Sequence, residues 1–262
     1  MAELSVIIGG TSGIGKAIAL RFAKEGHTVI IAGRDKVRGE DVAKECASFG
    51  AVSSEFIGVD VGDPASVESL GEAVSSKHGI PTIVVNCAGI LQSGKRVLDQ
   101  PLDEDEAIWR INYRGTLVGA QVFGRLMAEK GRGVILNVGS LASFANLSLP
   151  AYTPGKRAVL ALTEMLACEL GPQGIRVNAV APGYTLSDGL KAKIAAGERN
   201  PDAILDTTAL KKFVQPDDVA EAALFLCSDR SASITGVTLP VDAGWLVQAP
   251  YAHYQRGNPI KG

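Results

Sequence analysis

Residues 4–15 read LSVIIGGTSGIG, an apolar run that passes directly into a glycine-rich turn. The run at 4–9 predicts a buried strand, and Ile14, Ile18 and Phe22 recur behind the turn at the spacing of one helix face. Gly9, Gly13 and Gly15 lie in the turn with the spacing G-x-x-x-G-x-G. Glycine at such a turn lets a pyrophosphate approach free backbone N–H groups at a helix N-terminus. The segment therefore favours a dinucleotide site, although an ordinary turn can use the same glycines.

The rest of the chain continues the alternation of strand and helix. Further apolar runs predict strands at about 28–32, 54–59, 82–86, 133–138, 176–181 and 238–241. Helical spacing predicts helices at about 35–48, 64–78, 103–129, 151–170 and 217–227. Such alternation is typical of a parallel sheet covered on both sides. We therefore expect an α/β fold: a single doubly wound Rossmann-type domain over residues 1–262, with a mostly parallel seven-stranded sheet and helices on both faces.

The composition argues against several kinds of partner. The chain has 262 residues, with 26 Lys plus Arg against 28 Asp plus Glu, and lacks the basic block that nucleic-acid binding needs. Its apolar runs fall short of the ~20 residues that cross a bilayer, and no charged leader precedes the first strand. We expect a cytoplasmic protein that binds neither nucleic acid nor membrane. The four cysteines, Cys46, Cys87, Cys168 and Cys227, match no metal or disulfide spacing, so buried free thiols are expected.

The end of the second predicted strand bears on which dinucleotide is bound. A carboxylate at this place holds a ribose 2′-hydroxyl, whereas a cation holds a 2′-phosphate. The chain has Gly33, Arg34 and Asp35 there. Arg34 offers a planar fork suited to phosphate, while Asp35 fits either a ribose contact or the N-cap of the next helix. Together these residues favour NADP(H) over NAD(H).

Tyr152 and Lys156 form a candidate acid–base pair. They lie four positions apart, so on a helix their side chains share one face. A phenol with a reference pKa of about 10 is a poor base at neutral pH. An ammonium at about 4 Å, with an effective dielectric of about 20, favours the phenolate by about 4 kcal/mol, or roughly three pKa units. In isolation, however, the pattern also fits an interfacial tyrosine and a surface lysine.

Several motifs in a characteristic order make the chain resemble the short-chain dehydrogenase/reductase family along nearly its whole length. They are the glycine turn at 9–15, Asp60 after the third strand, NCAG at 86–89, Asn112, Ser140, Tyr152 and Lys156, PGYT at 182–185 and VDAG at 241–244. The resemblance implies an oxidoreductase that interconverts a secondary alcohol and a carbonyl compound. Hydride transfer would use NAD(P)(H), and no metal ion would be needed to polarise the carbonyl.

The resemblance implies roles for four catalytic residues. Tyr152 would be the general acid/base, and Lys156 would lower its pKa and hold the nicotinamide ribose. Ser140 would hydrogen-bond the substrate oxygen, so that two hydroxyl donors meet the charge developing there. Asn112 would support a water chain that relays the proton to solvent. Each residue taken singly also fits a purely structural role.

The binding residues that the resemblance implies follow from the same motifs. For the cofactor they are Gly9, Thr11, Ser12, Gly13, Ile14, Gly15, Arg34, Asp60, Val61, Asn86, Ala88, Gly89, Tyr152, Lys156, Pro182, Gly183 and Thr185. Asp60 would contact the adenine, residues 86–89 the adenosine ribose, and residues 182–185 the nicotinamide. For the substrate they are Gln92, Ser140, Asn146, Tyr152 and Tyr184. This mixture favours a small or medium molecule that carries hydroxyl groups.

Two departures from the family pattern bear on these expectations. Cys87 stands where a second asparagine is usual, at a position that mainly braces neighbouring strands. Pro154 and Gly155 lie between the tyrosine and the lysine, where helix formers are usual. Proline costs little in a first helical turn, and glycine costs about 1 kcal/mol relative to alanine. The pair therefore keeps its geometry if the helix begins near residue 150.

Two segments outside the core motifs are expected to lie near the site. The polar stretch 184–215 is long enough to be a substrate lid. The tail 245–262 either frays or closes over an active site, its own or a neighbour's, through its aromatic residues. The resemblance also implies a homotetramer or homodimer formed by the helices at 103–129 and 151–170. Candidate apolar contacts there are Tyr113, Leu117, Phe123 and Leu166, although a sheet-facing role would explain some of them equally well.

Two rival functions share parts of this pattern. One is a non-catalytic NADP(H)-binding sensor or scaffold of the same fold, which has no use for an acid–base phenol. The other is the epimerase/dehydratase branch, which also carries a tyrosine and a lysine four residues apart. That branch has a larger substrate domain, for which little chain remains after Val241.

Overall fold

A parallel sheet forms the centre of the molecule. The computed structural model describes residues 3–92 and 94–257, and within them seven strands pair in the order β3-β2-β1-β4-β5-β6-β7. The strands are β1 Leu4–Ile8, β2 Thr28–Gly33, β3 Ser53–Gly58, β4 Ile83–Asn86, β5 Gly133–Val138, β6 Ile175–Pro182 and β7 Thr238–Val241. Every neighbouring pair is parallel, so the expected fold class is confirmed, with a sheet that is wholly rather than mostly parallel.

Helices connect the strands along the described chain. They are α1 Gly13–Lys24, α2 Lys36–Ser48, α3 Pro64–His78, α4 Leu102–Ile108, α5 Gly115–Lys130, α6 Tyr152–Leu170, α7 Asp188–Ala195, α8 Pro201–Asp206, α9 Pro216–Cys227 and α10 Trp245–Gly257. A π-helical segment, Trp109–Arg114, joins α4 to α5. None of the described helices is long and apolar enough to cross a membrane.

Alternation along the strands divides the core into two layers. In β1, Ile7 packs with the layer that holds Phe22 of α1, while Val6 and Ile8 pack with the layer that holds Phe123 of α5. Successive side chains of a strand point to opposite faces, so a strand buried on both faces reads as a continuous apolar run. This burial is why the run LSVII identified the first strand.

The strand order reverses direction between β1 and β4. β1 pairs with β2 on one side and with β4 on the other, so the connections run outward in opposite directions from this point. In such sheets a crevice opens beyond the carboxyl ends of the two central strands, where ligands bind. The glycine turn after β1 and the loop after β4 border that crevice.

The long helix expected at 103–129 is interrupted. The structure divides it into α4, the π-helical segment and α5, and the wider turn contains Asn112. Apolar periodicity continues through the segment, so the sequence pattern gave no sign of it. π-Helical insertions occur frequently at functional sites.

Three smaller expectations are corrected. Gly9 belongs to the turn rather than to the first strand, which ends at Ile8. Cys168 is exposed on α6, whereas Cys46 and Cys227 are buried and Cys87 is partly buried. Two of the four proposed interface residues, Phe123 and Leu166, lie in the core and face the sheet.

The first part of the tail 245–262 is a helix. Residues 245–257 form α10, and the backbone N–H of Leu246 donates to the Asp242 carboxylate at 2.9 Å. Residues 258–262, the Arg256 side chain and Ser93 lie outside the described residues. The aromatic rings of Tyr251 and Tyr254 are exposed on α10, and closure of the tail over a site stays a prediction.

Candidate active site

The glycine turn at residues 9–13 leaves space beside the start of α1. A Cβ at Gly9 would lie 2.5 Å from the Ala88 backbone nitrogen, and one at Gly15 would lie 2.1 Å from the Gly9 carbonyl oxygen. Gly13 has a φ of +51°, and a Cβ there would meet nothing within 4 Å. Ser12 precedes the helix without capping it through its side chain. The first backbone N–H groups of α1 have no partners within the helix, so this turn offers donors to a phosphate.

Hydrogen bonds at the end of β2 distinguish the two roles left open for Asp35, a ribose contact and the N-cap of the next helix. Its carboxylate accepts from the Arg38 backbone N–H at 3.0 Å and pairs with the Arg38 guanidinium at 3.2 Å, so Asp35 is the N-cap of α2. Arg34 is exposed and pairs with no carboxylate among the described residues. The crevice therefore has a free guanidinium and an occupied carboxylate at this end.

Asp60 and Val61 follow β3 on the same side of the sheet. Asp60 Oδ1 accepts from the Gly62 backbone N–H at 2.9 Å, and the Asp60 backbone N–H donates to Ser66 Oγ at 3.0 Å. Val61 packs against Gly115 at the start of α5, where a Cβ would lie 3.0 Å from its side chain. The turn that would receive an adenine is thus rigidly held.

Asn86 has a buried side chain that is directed away from the crevice. Its Nδ2 donates to Asn137 Oδ1 at 2.9 Å, and Asn137 Nδ2 donates to Thr163 Oγ1 at 3.0 Å. A Cβ at Gly119 of α5 would lie 2.4 Å from Asn86 Oδ1. The amide ties β4 to β5 and α6, which leaves the backbone of Asn86 for any cofactor contact.

Tyr152 and Lys156 lie one turn apart at the start of α6. The Gly155 backbone N–H donates to the Ala151 carbonyl at 3.2 Å, so the helix tolerates Pro154 and Gly155 in its first turn. Lys156 Nζ lies 5.7 Å from the centroid of the Tyr152 ring. The lysine is buried, and its ammonium donates to the Val138 carbonyl at 2.7 Å. The expected shared face is therefore present.

The same lysine borders the loop that follows β4. A Cβ at Gly89 would lie 3.9 Å from Lys156 Nζ and 3.2 Å from Asn112 Oδ1. Glycine at this place keeps the space between the loop and the lysine open. The candidate catalytic residues and the candidate cofactor loop thus meet at the carboxyl end of the sheet.

Ser140 begins a short 3-10 turn directly after β5. Its Oγ accepts from the Ala142 backbone N–H at 3.2 Å, which leaves the hydroxyl proton free to donate. Ser143, which sequence reasoning missed, donates to the Lys156 carbonyl at 2.8 Å and accepts from the Ser140 backbone N–H at 3.3 Å. Ser143 therefore connects the turn that carries Ser140 to the helix that carries Lys156.

Asn112 holds the loop after β4 from the π-helical segment. Its Oδ1 accepts from the Ile90 backbone N–H at 2.8 Å, and its Nδ2 donates to the Ile90 carbonyl at 2.9 Å. The side chain is fully buried. Its Oδ1 and Nδ2 are thus both engaged by one residue, which fixes the loop that includes Gly89. A role of Asn112 in a water chain stays a prediction.

The candidate substrate residues occupy different surroundings. Asn146 is exposed and Tyr184 is half-buried, so both remain accessible. Gln92 is buried, and its Oε1 accepts from the backbone N–H groups of Ala151 and Tyr152, each at 2.9 Å. Its amide is therefore engaged with the start of α6. A direct contact between Gln92 and substrate stays a prediction.

The two ends of the segment 184–215 are hydrogen-bonded to each other. Thr185 forms a parallel bridge with Val214, and the Leu186 backbone N–H donates to the Val214 carbonyl at 2.8 Å. Between these ends lie α7 and α8, which the sequence pattern did not separate. Gly183 lies against Asp242, where a Cβ would come within 2.7 Å of the backbone. Both ends of the proposed lid are therefore anchored to the sheet.

The thiol of Cys87, which lies next to the site, is not activated by its surroundings. Burial raises the pKa of Cys87 to about 11, and the nearby positive charge of Lys156 opposes that rise. The side chain is neutral at physiological pH and is therefore a weak nucleophile. Cysteine in place of asparagine at this position adds no second reactive group.

The seven-stranded parallel sheet with helices on both faces defines a Rossmann-type fold. A family model described as enoyl-(acyl carrier protein) reductase matches residues 9–246. The chain belongs to the short-chain dehydrogenase/reductase family.

Individual proteins show the same likeness. The chain is 38% identical over 179 residues to a probable oxidoreductase, EphD, of Mycobacterium tuberculosis; this covers 68% of the chain but only 30% of that relative's length. A crystal structure described as ribose-5-phosphate isomerase from Brucella melitensis superposes with a TM-score of 0.91 at 38% identity, covering 97% of this chain and 96% of that one.

A further structure contains a nucleotide. It is described as a putative 2-deoxy-D-gluconate 3-dehydrogenase from Agrobacterium tumefaciens with bound NADP. Its TM-score is 0.85 at 30% identity, and the match covers 93% of this chain and 96% of that one.

Proposed function

We propose that the protein interconverts a secondary alcohol and a ketone with NADP(H), using Tyr152 as the general acid/base. One observation carries the proposal: Lys156 Nζ lies 5.7 Å from the Tyr152 ring centroid and borders Gly89 of the candidate cofactor loop. A lysine that only stabilised the fold would not have to lie between a phenol and a crevice lined by glycine. The glycine turn and Arg34 fit a phosphorylated dinucleotide, because both present unpaired donors.

The chain's own residues have separate roles in the reaction at the substrate oxygen. When bound, the nicotinamide supplies or accepts the hydride. Tyr152 gives its phenolic proton to the oxygen during reduction and takes it back during oxidation, and the Lys156 charge stabilises the phenolate. Ser140 donates its free hydroxyl proton to the same oxygen. Asn112 acts less directly, since it fixes the loop at Ile90.

The preference for NADP(H) is supported by the end of β2. Asp35 caps α2 and pairs with Arg38, which favours a capping role over a ribose contact. Arg34 is exposed and offers its guanidinium to a 2′-phosphate. The similar structure with bound NADP is consistent with this preference.

The substrate is proposed to be a hydroxyl-bearing molecule of small or medium size. Asn146 and Tyr184 remain accessible to a ligand, and α7 and α8 lie between the two ends of the proposed lid. The similar structure described as a putative 2-deoxy-D-gluconate 3-dehydrogenase supports polyols and sugar acids as the first compounds to test.

We propose a cytoplasmic homotetramer or homodimer in which the exposed face of α6 takes part, since Met165 there is 60% exposed. Sedimentation velocity at micromolar concentration should give a mass of two or four chains. A monomer would remove this part of the proposal.

The experiment follows nicotinamide absorbance with NADP(H) and NAD(H) in parallel. The panel contains D-threitol, 2-deoxy-D-gluconate, other polyols, sugars, secondary alcohols and ketones. We expect turnover with at least one class and a higher kcat/KM with NADP(H). Cofactor binding without turnover across the panel would favour the non-catalytic module.

Ribose 5-phosphate is a separate arm of the panel because one similar structure is described as an isomerase of that compound. Conversion of this sugar without any change in nicotinamide absorbance would contradict the proposed redox function.

A further inference from the structure

Gln92 lies at a junction between the cofactor loop and the helix that carries the tyrosine. It follows Ile90 by two residues, and Ile90 is held by both ends of the Asn112 amide. The Gln92 side chain is only 6% exposed. Its amide therefore has to find all its partners inside the protein.

The amide oxygen supplies a cap that the start of α6 lacks. Ala151 occupies the N-cap position and has no side chain able to accept a hydrogen bond. The first N–H groups of a helix have no partners within the helix. Gln92 Oε1 accepts from the backbone N–H groups of Ala151 and Tyr152, each at 2.9 Å, from 60 positions before Tyr152. The backbone of the proposed acid/base is thus bonded directly to the cofactor loop.

A second glutamine fixes which way the amide points. Gln92 Nε2 donates to Gln100 Oε1, and Gln100 Nε2 donates to the Pro101 carbonyl at 3.1 Å and to the Glu104 carboxylate at 3.3 Å. Because Gln100 Oε1 is an acceptor, it selects the orientation in which Gln92 Oε1 faces α6. The network therefore joins the start of α4, the loop after β4 and the start of α6.

We infer that Gln92 is a positioning residue. Its amide oxygen binds the backbone of Tyr152 and so fixes the position of Tyr152 relative to the cofactor loop. Gln100 orients the Gln92 amide for this hydrogen bond. The inference rests on the proposed function, since it assigns Gln92 a role in placing the acid/base. Tyr152 is the first residue of α6, where a helix without a cap frays. A small displacement of a catalytic group can reduce a rate by about a hundredfold.

Two substitutions at Gln92 distinguish the effect of its hydrogen-bond acceptor from the effect of its side-chain size. Gln92→Met keeps the length of the side chain and removes the acceptor. Gln92→Glu keeps an acceptor for both N–H groups, and in its protonated form the carboxyl also has an O–H that can donate to Gln100 Oε1. We expect Gln92→Met to reduce kcat by about ten- to a hundredfold while the Kd for NADP⁺ stays within twofold. Gln92→Glu should restore kcat to within about threefold of wild type.

Two readouts do not depend on turnover. Hydrogen exchange at the amides of Ala151 and Tyr152 should accelerate about tenfold or more in Gln92→Met and slow again in Gln92→Glu. With 3-fluorotyrosine incorporated and NADP⁺ bound, the fluorine line that disappears in Tyr152→Phe should broaden or shift in Gln92→Met. The lines of the other four tyrosines should stay in place.

Two further variants make the test robust. Asp218→Ala removes a cap from α9, where the Asp218 carboxylate accepts from the Gln215 backbone N–H at 2.8 Å. It should lower Tm without changing kcat or the Tyr152 signal. If Gln92→Met does not fold, Gln100→Leu replaces it, because the Gln92 amide then loses the partner that orients it; kcat should fall about three- to tenfold.

Three results would overturn the inference: a kcat in Gln92→Met within twofold of wild type, a Gln92→Glu variant as impaired as Gln92→Met, or unchanged exchange at residues 151 and 152. Turnover retained by Tyr152→Phe would instead overturn the proposed function. The two failures are therefore distinguishable. If the panel gives no turnover, the exchange and fluorine signals decide the inference alone.

Discussion

At the scale of single residues, the site depends on which polar groups are already engaged. Asp35 and Arg34 are neighbours at the end of β2, yet the first is occupied by a helix start and the second has no described partner. Asn112 and Gln92 are likewise engaged within the protein, while Ser140 keeps a free donor. Occupied groups position the site, and free groups are left to meet ligands.

Replacing Arg34 tests the assignment of the free guanidinium. Charge-assisted hydrogen bonds contribute about 1.5–3 kcal/mol, so Arg34→Ala should raise the Kd for NADP⁺ by roughly ten- to a hundredfold. The Kd for NAD⁺ should stay within about twofold because NAD⁺ has no 2′-phosphate. Isothermal titration with both nucleotides measures the difference.

Asp35→Ala is the matched variant for that measurement. As an N-cap, Asp35 contributes about 1 kcal/mol to stability and nothing direct to nucleotide affinity. A large loss of NAD⁺ affinity in Asp35→Ala would show that the carboxylate holds a ribose and would contradict the preference for NADP(H).

At the scale of elements, the starts of helices explain where sequence reasoning succeeded and where it did not. α3 was predicted at its observed bounds because Asp63 and Pro64 form a local start signal, and Asp63 does cap the helix. α6 has no local cap, since its acceptor comes from Gln92 far along the chain. A contact between segments distant in sequence leaves no periodic signal, so the role of Gln92 required the structure.

Other parts of the site show the same contrast between features set by local sequence and features set by the fold. Tyr152 and Lys156 share a face because helical spacing is a local property. The π-helical segment around Asn112 was not foreseen, because apolar spacing is the same on both sides of it. The burial of Phe123 and Leu166 depends on which helix face meets the sheet.

Two helical glycines provide a stability test. Gly155 lies in the first turn of α6, and a Cβ there would meet nothing within 4 Å outside its own helix. Gly155→Ala should therefore raise the free energy of unfolding by about 0.5–1 kcal/mol, through helix propensity, with turnover unchanged. Urea denaturation measures the change.

Gly119→Ala is the counterpart in α5. A Cβ there would lie 2.4 Å from Asn86 Oδ1, inside the amide chain that joins β4 to β5. The substitution should destabilise the protein by about 1–3 kcal/mol. Equal effects of the two substitutions would mean that the packing around these glycines has been described incorrectly.

At the scale of the whole molecule, the parallel sheet separates chemistry from stability. The candidate site lies beyond the carboxyl ends of the strands, where the strand order reverses between β1 and β4. His27 precedes β2 at the opposite end of the sheet, where it is buried against Phe22 and hydrogen-bonded to Ser5 Oγ at 2.8 Å. Changes at that end should alter folding without altering the reaction.

Burial lowers the pKa of His27 below its ordinary value of about 6.5. The unfolded chain therefore binds more protons than the folded one, and the free energy of unfolding should decrease as pH falls through 6.5 toward the folded pKa. His27→Gln should reduce this decrease between pH 7.5 and 5.5, as measured by urea denaturation at each pH.

His253→Gln is the control for the pH experiment. This histidine is exposed on α10. The variant should follow the wild-type pH dependence. An unchanged slope in His27→Gln would show that another group governs the loss of stability in acid.

Tyr152 is proposed to transfer the proton that accompanies hydride transfer. The most direct measurement compares wild type with Tyr152→Phe in single turnovers, using the best substrate from the panel and NADP(H) at saturating concentration. General acid–base catalysis contributes about 10²–10⁴-fold, so Tyr152→Phe should lose at least a hundredfold in hydride-transfer rate while its Kd for NADP⁺ stays within a few-fold. A rate in Tyr152→Phe close to that of wild type would contradict the claim.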